Sequence, residues 1–273
     1  MAAAGCLGYG VEAVGQVDFS RLGAIVTRGT TLQPRSGGPA PRMVETSGGL
    51  LHAIGHQNPG IRVVLERYAP RWATWEVPVI LNLVASSADE FAELAGRTEG
   101  IPGVAALELD LGSVGTGRKG RPLSYDAAAV SAITAAVREV TDLPVLVKLS
   151  ILAPDLRGAA RAAADAGADA LTCGSGPPAL LAGRHAMLSG PAIGPLALRA
   201  VAEMARHARL PIVGCGGVVA LRDVKAMLEA GATAVAIGTA MLADPALPGR
   251  LATKLVMEPP QPVGSKGVAK RDP

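Results

Sequence analysis

Eight short apolar runs, interleaved from the second onward with helical patterns, constrain this chain more than any other feature. They lie at 1–5, 23–27, 78–83, 104–110, 144–149, 169–173, 211–215 and 233–238. Most read as continuous apolar stretches and not as alternations, so both faces of each strand are buried, as in a parallel sheet. Three of them open on a proline, in WEVPVILNLVA (75–85), TDLPVLVKLS (141–150) and ARLPIVGCGGV (208–218). Proline is tolerated at the first position of a strand, where no ladder bond is lost. DAGADALTCGS (165–175) and EAGATAVAIGT (229–239) each end a helix on glycine before a strand begins.

Helices are expected near 58–69, 87–98, 124–139, 154–166, 192–207, 220–230 and 242–256. Ser87 and Ser124 read as N-caps, with Asp89 and Glu90 suiting the positive end of their helix. Eight strands alternating with helices predict a closed (β/α)8 TIM barrel and not an open doubly wound sheet. GCLGYG (5–10) only approximates the dinucleotide-binding spacing, and one such match decides nothing. The expectation is one barrel over 1–257 and a polar, disordered tail over 258–273. Residues 29–57 are long for a single loop, which marks them as functional.

The 273 residues suffice for one such barrel. Aromatics make up only 3%, so aliphatic side chains must build the core. A net charge of +3 gives no reason to expect a nucleic-acid or membrane surface. No apolar run is long enough to span a bilayer. Cys6, Cys173 and Cys215 have neither zinc-site nor disulfide-framework spacing, so no metal site is expected and a reducing cytoplasm is.

Barrel active sites form at the C-terminal ends of the strands. Reading only those ends selects Arg28, Asn82, Asp110 with Ser113, Lys148, Thr172 with Ser175, Gly214–Gly217 and Gly238–Thr239. Lys148 interrupts VLVKLS and needs a partner if buried. GCGGV (214–218) and IGTA (237–240) follow the seventh and eighth strands, where barrels often bind phosphate on backbone N–H groups. Asn82 suits a flavin or pyrimidine edge, or a satisfied core amide. His185 and His207 read as surface residues, His52 and His56 as parts of a solvated loop within reach of the mouth, and Cys215 as a packing residue.

Taken together, SRLGAIVTRGTTLQPR (20–35), HAIGHQNPG (52–60), LPVLVKLS (143–150), LSGPAIGPLALR (188–199) and the GCGG…GTA pair resemble the soluble, class 1 type of dihydroorotate dehydrogenase, in a divergent form. The resemblance implies FMN at the barrel mouth and oxidation of dihydroorotate to orotate in pyrimidine biosynthesis. Hydride passes to the flavin while a base takes the neighbouring proton. It places the FMN phosphate on Gly190, Gly216, Gly217, Gly238 and Thr239, and Lys148, Asn82 and Arg28 beside the flavin. Ser113 falls at the base position, usually Cys in this class, and His52, Asp110 and Ser175 fall in the substrate pocket.

Several positions depart from the pattern. Asp110, Gly115, His52 and Ser175 replace asparagines, Arg28 replaces a lysine and Ala4 a serine. The family has further residues before the segment matching MAAAGCLGYG, so the first strand is expected to be truncated at its N-terminal part, leaving an exposed edge. The resemblance also allows a homodimer and a separate FAD and iron–sulfur subunit as electron acceptor. Two alternatives stand beside the family activity: an FMN oxidoreductase acting on another substrate, and a non-catalytic barrel binding a phosphorylated ligand.

Overall fold

The computed structural model describes residues 1–113 and 120–258. Its main sheet joins seven parallel strands in the order β1 (Ile25–Val26), β4 (Val79–Leu83), β5 (Ala106–Asp110), β6 (Val145–Ser150), β7 (Ala170–Gly174), β10 (Ile212–Cys215) and β11 (Ala234–Ala236). The first expected strand contributes one residue. Ala2 bridges Ile25 on one side and Ile237 on the other, both in parallel. Ala2 N donates to Ala24 O, and Ala3 N to Ile237 O. The edge expected there is thus paired on both sides, and Ala2 is fully buried. The result is a curled α/β sheet of the TIM-barrel type, which excludes the open sheet suggested by GCLGYG.

Alternation along the strands explains why the runs look continuous. On β5, Leu107 and Leu109 face the helix layer, while Ala106 belongs to a separate inner cluster with Ala3, Ala24, Val26, Ile80, Leu146, Val213 and Ala236. Four of these eight inner residues are alanines, so a narrow interior is filled without aromatics. Two residues further along each strand, the same inward face turns polar: Asn82, Glu108, Lys148 and Thr172. Register sets them side by side, with Asn82 opposite Glu108 on β4–β5 and Lys148 opposite Thr172 on β6–β7.

The main helices fall near their expected places: α1 (Ile61–Arg67), α3 (Ala88–Gly96), α4 (Ala127–Arg138), α5 (Leu156–Asp165), α6 (Gly194–His207), α7 (Leu221–Glu229) and α9 (Leu247–Met257), with short α2 (Ala69–Trp72) and α8 (Ala240–Ala243) between them. Ser87 caps α3, accepting from Glu90 N. Ser124 does not cap α4. Asp126 does, accepting from Ala128 N and Ala129 N, while the buried Ser124 hydroxyl accepts from Ser150 N at 3.2 Å. A carboxylate two residues nearer the helix is the stronger N-terminal acceptor. Among the described residues no helix is long and apolar enough to cross a membrane.

A second sheet was not visible in the sequence. β2 (Met43–Thr46), β3 (Gly49–His52), β9 (Arg184–Ser189) and β8 (Pro178–Leu181) form a four-stranded antiparallel sheet in that order. It draws on the long segment after β1 and on the segment after β7, both leaving C-terminal strand ends. Residues 29–57 are therefore partly strand and not simply loop.

Candidate active site

The inner polar layer is built on one carboxylate. Glu108 is 2% exposed. Its Oε1 accepts from Asn82 Nδ2 at 2.7 Å and its Oε2 from Thr172 Oγ1 at 2.8 Å. Lys148 Nζ lies 3.7 Å from Oε1. Burial alone works against the Lys148 ammonium, but Glu108 first and Asp110 second outweigh it and raise its pKa above the ordinary lysine value. Lys148 is thus a fixed positive charge, and the partner its sequence context demanded is Glu108. Reading strand ends alone missed Glu108 because it sits mid-strand. The signal was a second charge within an apolar run, two residues before Asp110 in LELD.

Asn82 is half satisfied. A carboxylate only accepts, so Nδ2 must face Glu108, and Oδ1 is left buried without a hydrogen-bond partner among the described residues. A buried acceptor without a partner costs about 1–3 kcal/mol. Asn82 lines a cavity of about 860 Å³, a size typical of sites for small ligands and cofactors.

The same cavity is lined by Arg28, His52, Asp110, Ser113, Lys148 and Ser175, and by Gly190, Gly216, Gly217, Gly238 and Thr239. Of the residues selected at the strand ends, Thr172 and Gly214 do not line this cavity and the others do. Gly217 has φ +73°, and a Cβ there would collide with Gly194 Cα at the start of α6. Close backbone packing of this kind exposes N–H groups to an anion. Ala4 and Cys215 also line the cavity. Thr172 is buried and spent on Glu108.

The histidines divide. His185 and His207 are exposed, although His185 also lines the cavity. His52, on β3, and His56 line the cavity and are half buried, contrary to a solvated loop. Pairing of β3 with β9 draws His52 inward, opposite Met187. Burial, followed by the Lys148 charge, lowers the pKa of His52 below the ordinary value. Burial also lowers that of His56, against the pull of Asp110. Both are neutral imidazoles near pH 7.

Ser113 is held by Asp110. The Asp110 carboxylate accepts from Ser113 N at 3.1 Å and from Ser113 Oγ at 2.8 Å. Gly112 permits this tight loop, since a Cβ there would lie 2.6 Å from Ser175 Oγ and 3.0 Å from Ser150 N. Gly115 lies outside the described residues. Among the described residues no group of three or more His, Cys, Asp or Glu is placed to hold a metal ion.

The family model for dihydroorotate dehydrogenase matches residues 1–257. The chain belongs to the dihydroorotate dehydrogenase family. Dihydroorotate dehydrogenases are flavoprotein oxidoreductases, and this chain is an enzyme of that type. It is 40% identical over 265 residues to a Desulforudis audaxviator protein, covering 93% of this chain and 86% of the relative. It is 41% identical over 265 residues to one from Geobacter sulfurreducens, covering 93% and 87%. Both relatives are named dihydroorotate dehydrogenase B (NAD(+)), catalytic subunit. A solved dihydroorotate dehydrogenase from Eimeria tenella, in complex with ferulenol, matches with a TM-score of 0.78. At 19% identity, over 94% of this chain and 80% of that one, it supports the fold alone.

Beside the residue types expected at Asn82, Lys148 and the glycine turns, the cavity is lined by the departures Ala4, Arg28, His52, Asp110 and Ser175.

Proposed function

We propose that this chain is a single FMN-binding barrel over residues 1–257 that oxidises dihydroorotate to orotate, the dehydrogenation step of pyrimidine biosynthesis. The observation carrying this reading is that one cavity joins the Asn82–Glu108–Lys148 layer to three glycine turns. The residues fit a flavin nucleotide. Asn82 Oδ1 is an acceptor in need of an N–H, and the turns at Gly190, Gly216–Gly217 and Gly238–Thr239 suit a terminal phosphate.

FMN, when bound, supplies the hydride acceptor. With the flavin bound, Lys148 would supply positive charge to its reduced form, and Glu108 keeps that ammonium in place. Arg28 adds a second cation to the cavity lining. Ser113 takes the proton from the substrate carbon next to the one losing hydride. A free serine hydroxyl has a pKa far above 7, so it must be activated by a neighbour. His52, Asp110 and Ser175 orient the substrate in place of the family's asparagines.

The names of the relatives support an NAD-linked role as a catalytic subunit. That role needs a partner carrying FAD and an iron–sulfur cluster. Homodimerisation and a cytoplasmic setting, which suits three free cysteines, belong to the same proposal.

The test is anaerobic mixing of FMN-loaded protein with dihydroorotate, followed by flavin absorbance. Bleaching supports the reading. A yellow protein that dihydroorotate leaves unchanged favours a second reading, oxidation of another, less anionic substrate, which the Asp110 carboxylate motivates. A protein that takes up no FMN favours a non-catalytic barrel with a phosphorylated ligand.

A further inference from the structure

The loop after β5 holds a contact that the substrate-binding reading of Asp110 does not use. Ser113 Oγ donates to Asp110 Oδ2 at 2.8 Å, and Ser113 N donates to Oδ1 of the same carboxylate at 3.1 Å. The two residues are 7% and 6% exposed, and both line the cavity. A carboxylate that grips both the hydroxyl and the backbone N–H of one serine fixes where that hydroxyl's proton points. The hydroxyl donates to Asp110, so a proton leaving Ser113 Oγ has a carboxylate oxygen 2.8 Å away to receive it.

We infer that Asp110 is the proton acceptor behind Ser113: as Ser113 Oγ takes a proton from substrate, its own proton moves to Asp110 Oδ2. The inference rests on the reading of Ser113 as base. In the balanced step, the C–H bond at the acidic carbon breaks and a new O–H bond forms on Ser113. The original Ser113 O–H bond breaks and an O–H bond forms on Asp110. The neighbouring carbon is oxidised, losing hydride to the flavin, which is reduced. Asp110 loses one negative charge as the flavin gains one, so the charge of the site is unchanged across the step. A hydroxyl acting without such an acceptor would develop alkoxonium character in a buried place, which is costly.

Among the described residues, Lys148 and His56 are the charged or titratable groups whose electrostatics couple to this carboxylate. Lys148 is its register partner on β6, and His56 feels its charge from the segment after β3. Lys148 is already committed to Glu108. Asp110 acts through Ser113 and is in that sense a positioning and relay residue, whose carboxylate also explains how this chain tolerates a charge at an amide position.

The experiment compares FMN-loaded wild type, Asp110→Asn, Ser113→Ala and the double variant in anaerobic mixing with dihydroorotate. Orotate affinity is measured in parallel by titration of the oxidised proteins. Asp110→Asn keeps the shape and an acceptor oxygen but cannot hold a proton as a carboxylate does. Loss of a positioned base is expected to slow flavin reduction by roughly 10²–10⁴-fold. Orotate affinity should hold or tighten, since a negative charge is gone. The double variant should be no slower than the slower single variant, because the two groups act as one unit. Asp110→Asn reducing flavin as fast as wild type, or losses that multiply in the double variant, would overturn the relay. Wild type that dihydroorotate does not bleach overturns the parent reading and the relay with it, an outcome distinct from both. If Asp110→Asn takes up no flavin, Asp110→Ala in formate decides. Return of rate with formate but not chloride supports the relay, and no return overturns it.

Discussion

Lys148 Nζ and Glu108 Oε1 stand 3.7 Å apart inside the barrel, with 10% and 2% of their side-chain surfaces exposed. Each makes the other's burial tolerable. Glu108 is also the joint acceptor for Asn82 and Thr172, so it links β4, β6 and β7 through β5. Removing one partner of a buried pair costs about 3–5 kcal/mol. Glu108→Ala is expected to lower stability by that amount, read as the shift in urea midpoint at constant slope. Loss within a few tenths of a kcal/mol would mean that the pair is not closed in solution.

Asn82 should matter more to the cofactor than to the fold. Asn82→Ala removes the unsatisfied Oδ1 and the bond to Glu108 together. FMN affinity is expected to fall roughly 10- to 100-fold, matching the loss of about 1–3 kcal/mol for a buried hydrogen bond. Titration of FMN fluorescence against apoprotein measures it directly.

Gly217→Ala tests the anion turn. The φ of +73° costs a non-glycine residue about 1–2 kcal/mol, and the clash with Gly194 adds to it. Thermal stability and FMN affinity should both drop. Gly23→Ala is the control, because a Cβ there meets nothing within 4 Å and its backbone is not left-handed.

The histidines give the pH dependence its sign. Burial lowers the pKa values of His52 and His56 from 6.5, so the folded state resists their protonation. Above pH 6.5 both are neutral whether folded or not, and they contribute no pH dependence. Below it the unfolded chain binds more protons, so stability falls with pH until the folded values are passed. Melting temperature should decline from pH 7 to pH 5, and less steeply in a His52→Gln/His56→Gln variant. Equal slopes would remove the two histidines as its source.

The two serines near α4 differ in role. Asp126→Ala should cost about 0.5–2 kcal/mol as a lost cap. Ser124→Ala should cost about 1–3 kcal/mol, because it strands the buried Ser150 N–H. Denaturant melts of both variants separate the cap from the bridge.

Legibility followed local physics. The runs were readable because most of the main-sheet strands are buried on both faces, and helices such as α3, α4 and α5 carry their own side-chain caps. Asp110, Ser113, Lys148 and the glycine turns were readable as polar or flexible residues at strand ends. Glu108 was hidden by the same logic, since its place is mid-strand and its partners come from three other strands. The second sheet was hidden because β2 is fully exposed, so it carries no buried periodicity, and its pairing with distant chain is set by tertiary contact. His52 took its inward facing from that pairing and not from its neighbours in sequence. Asp126 outcompeted Ser124 by a two-residue difference that pattern alone does not resolve.

The antiparallel sheet sets how this cavity can be reshaped. Leu50 pairs with Ser189 and His52 with Met187, and these four side chains share the wall toward the ligand. One residue gained or lost within β3 or β9 would reverse which side chains look inward. It would also displace Gly190, which directly follows β9. Divergence in ligand preference is therefore open to point changes on this inner face and closed to changes in strand length, so specificity can drift here while the anion turn stays in register.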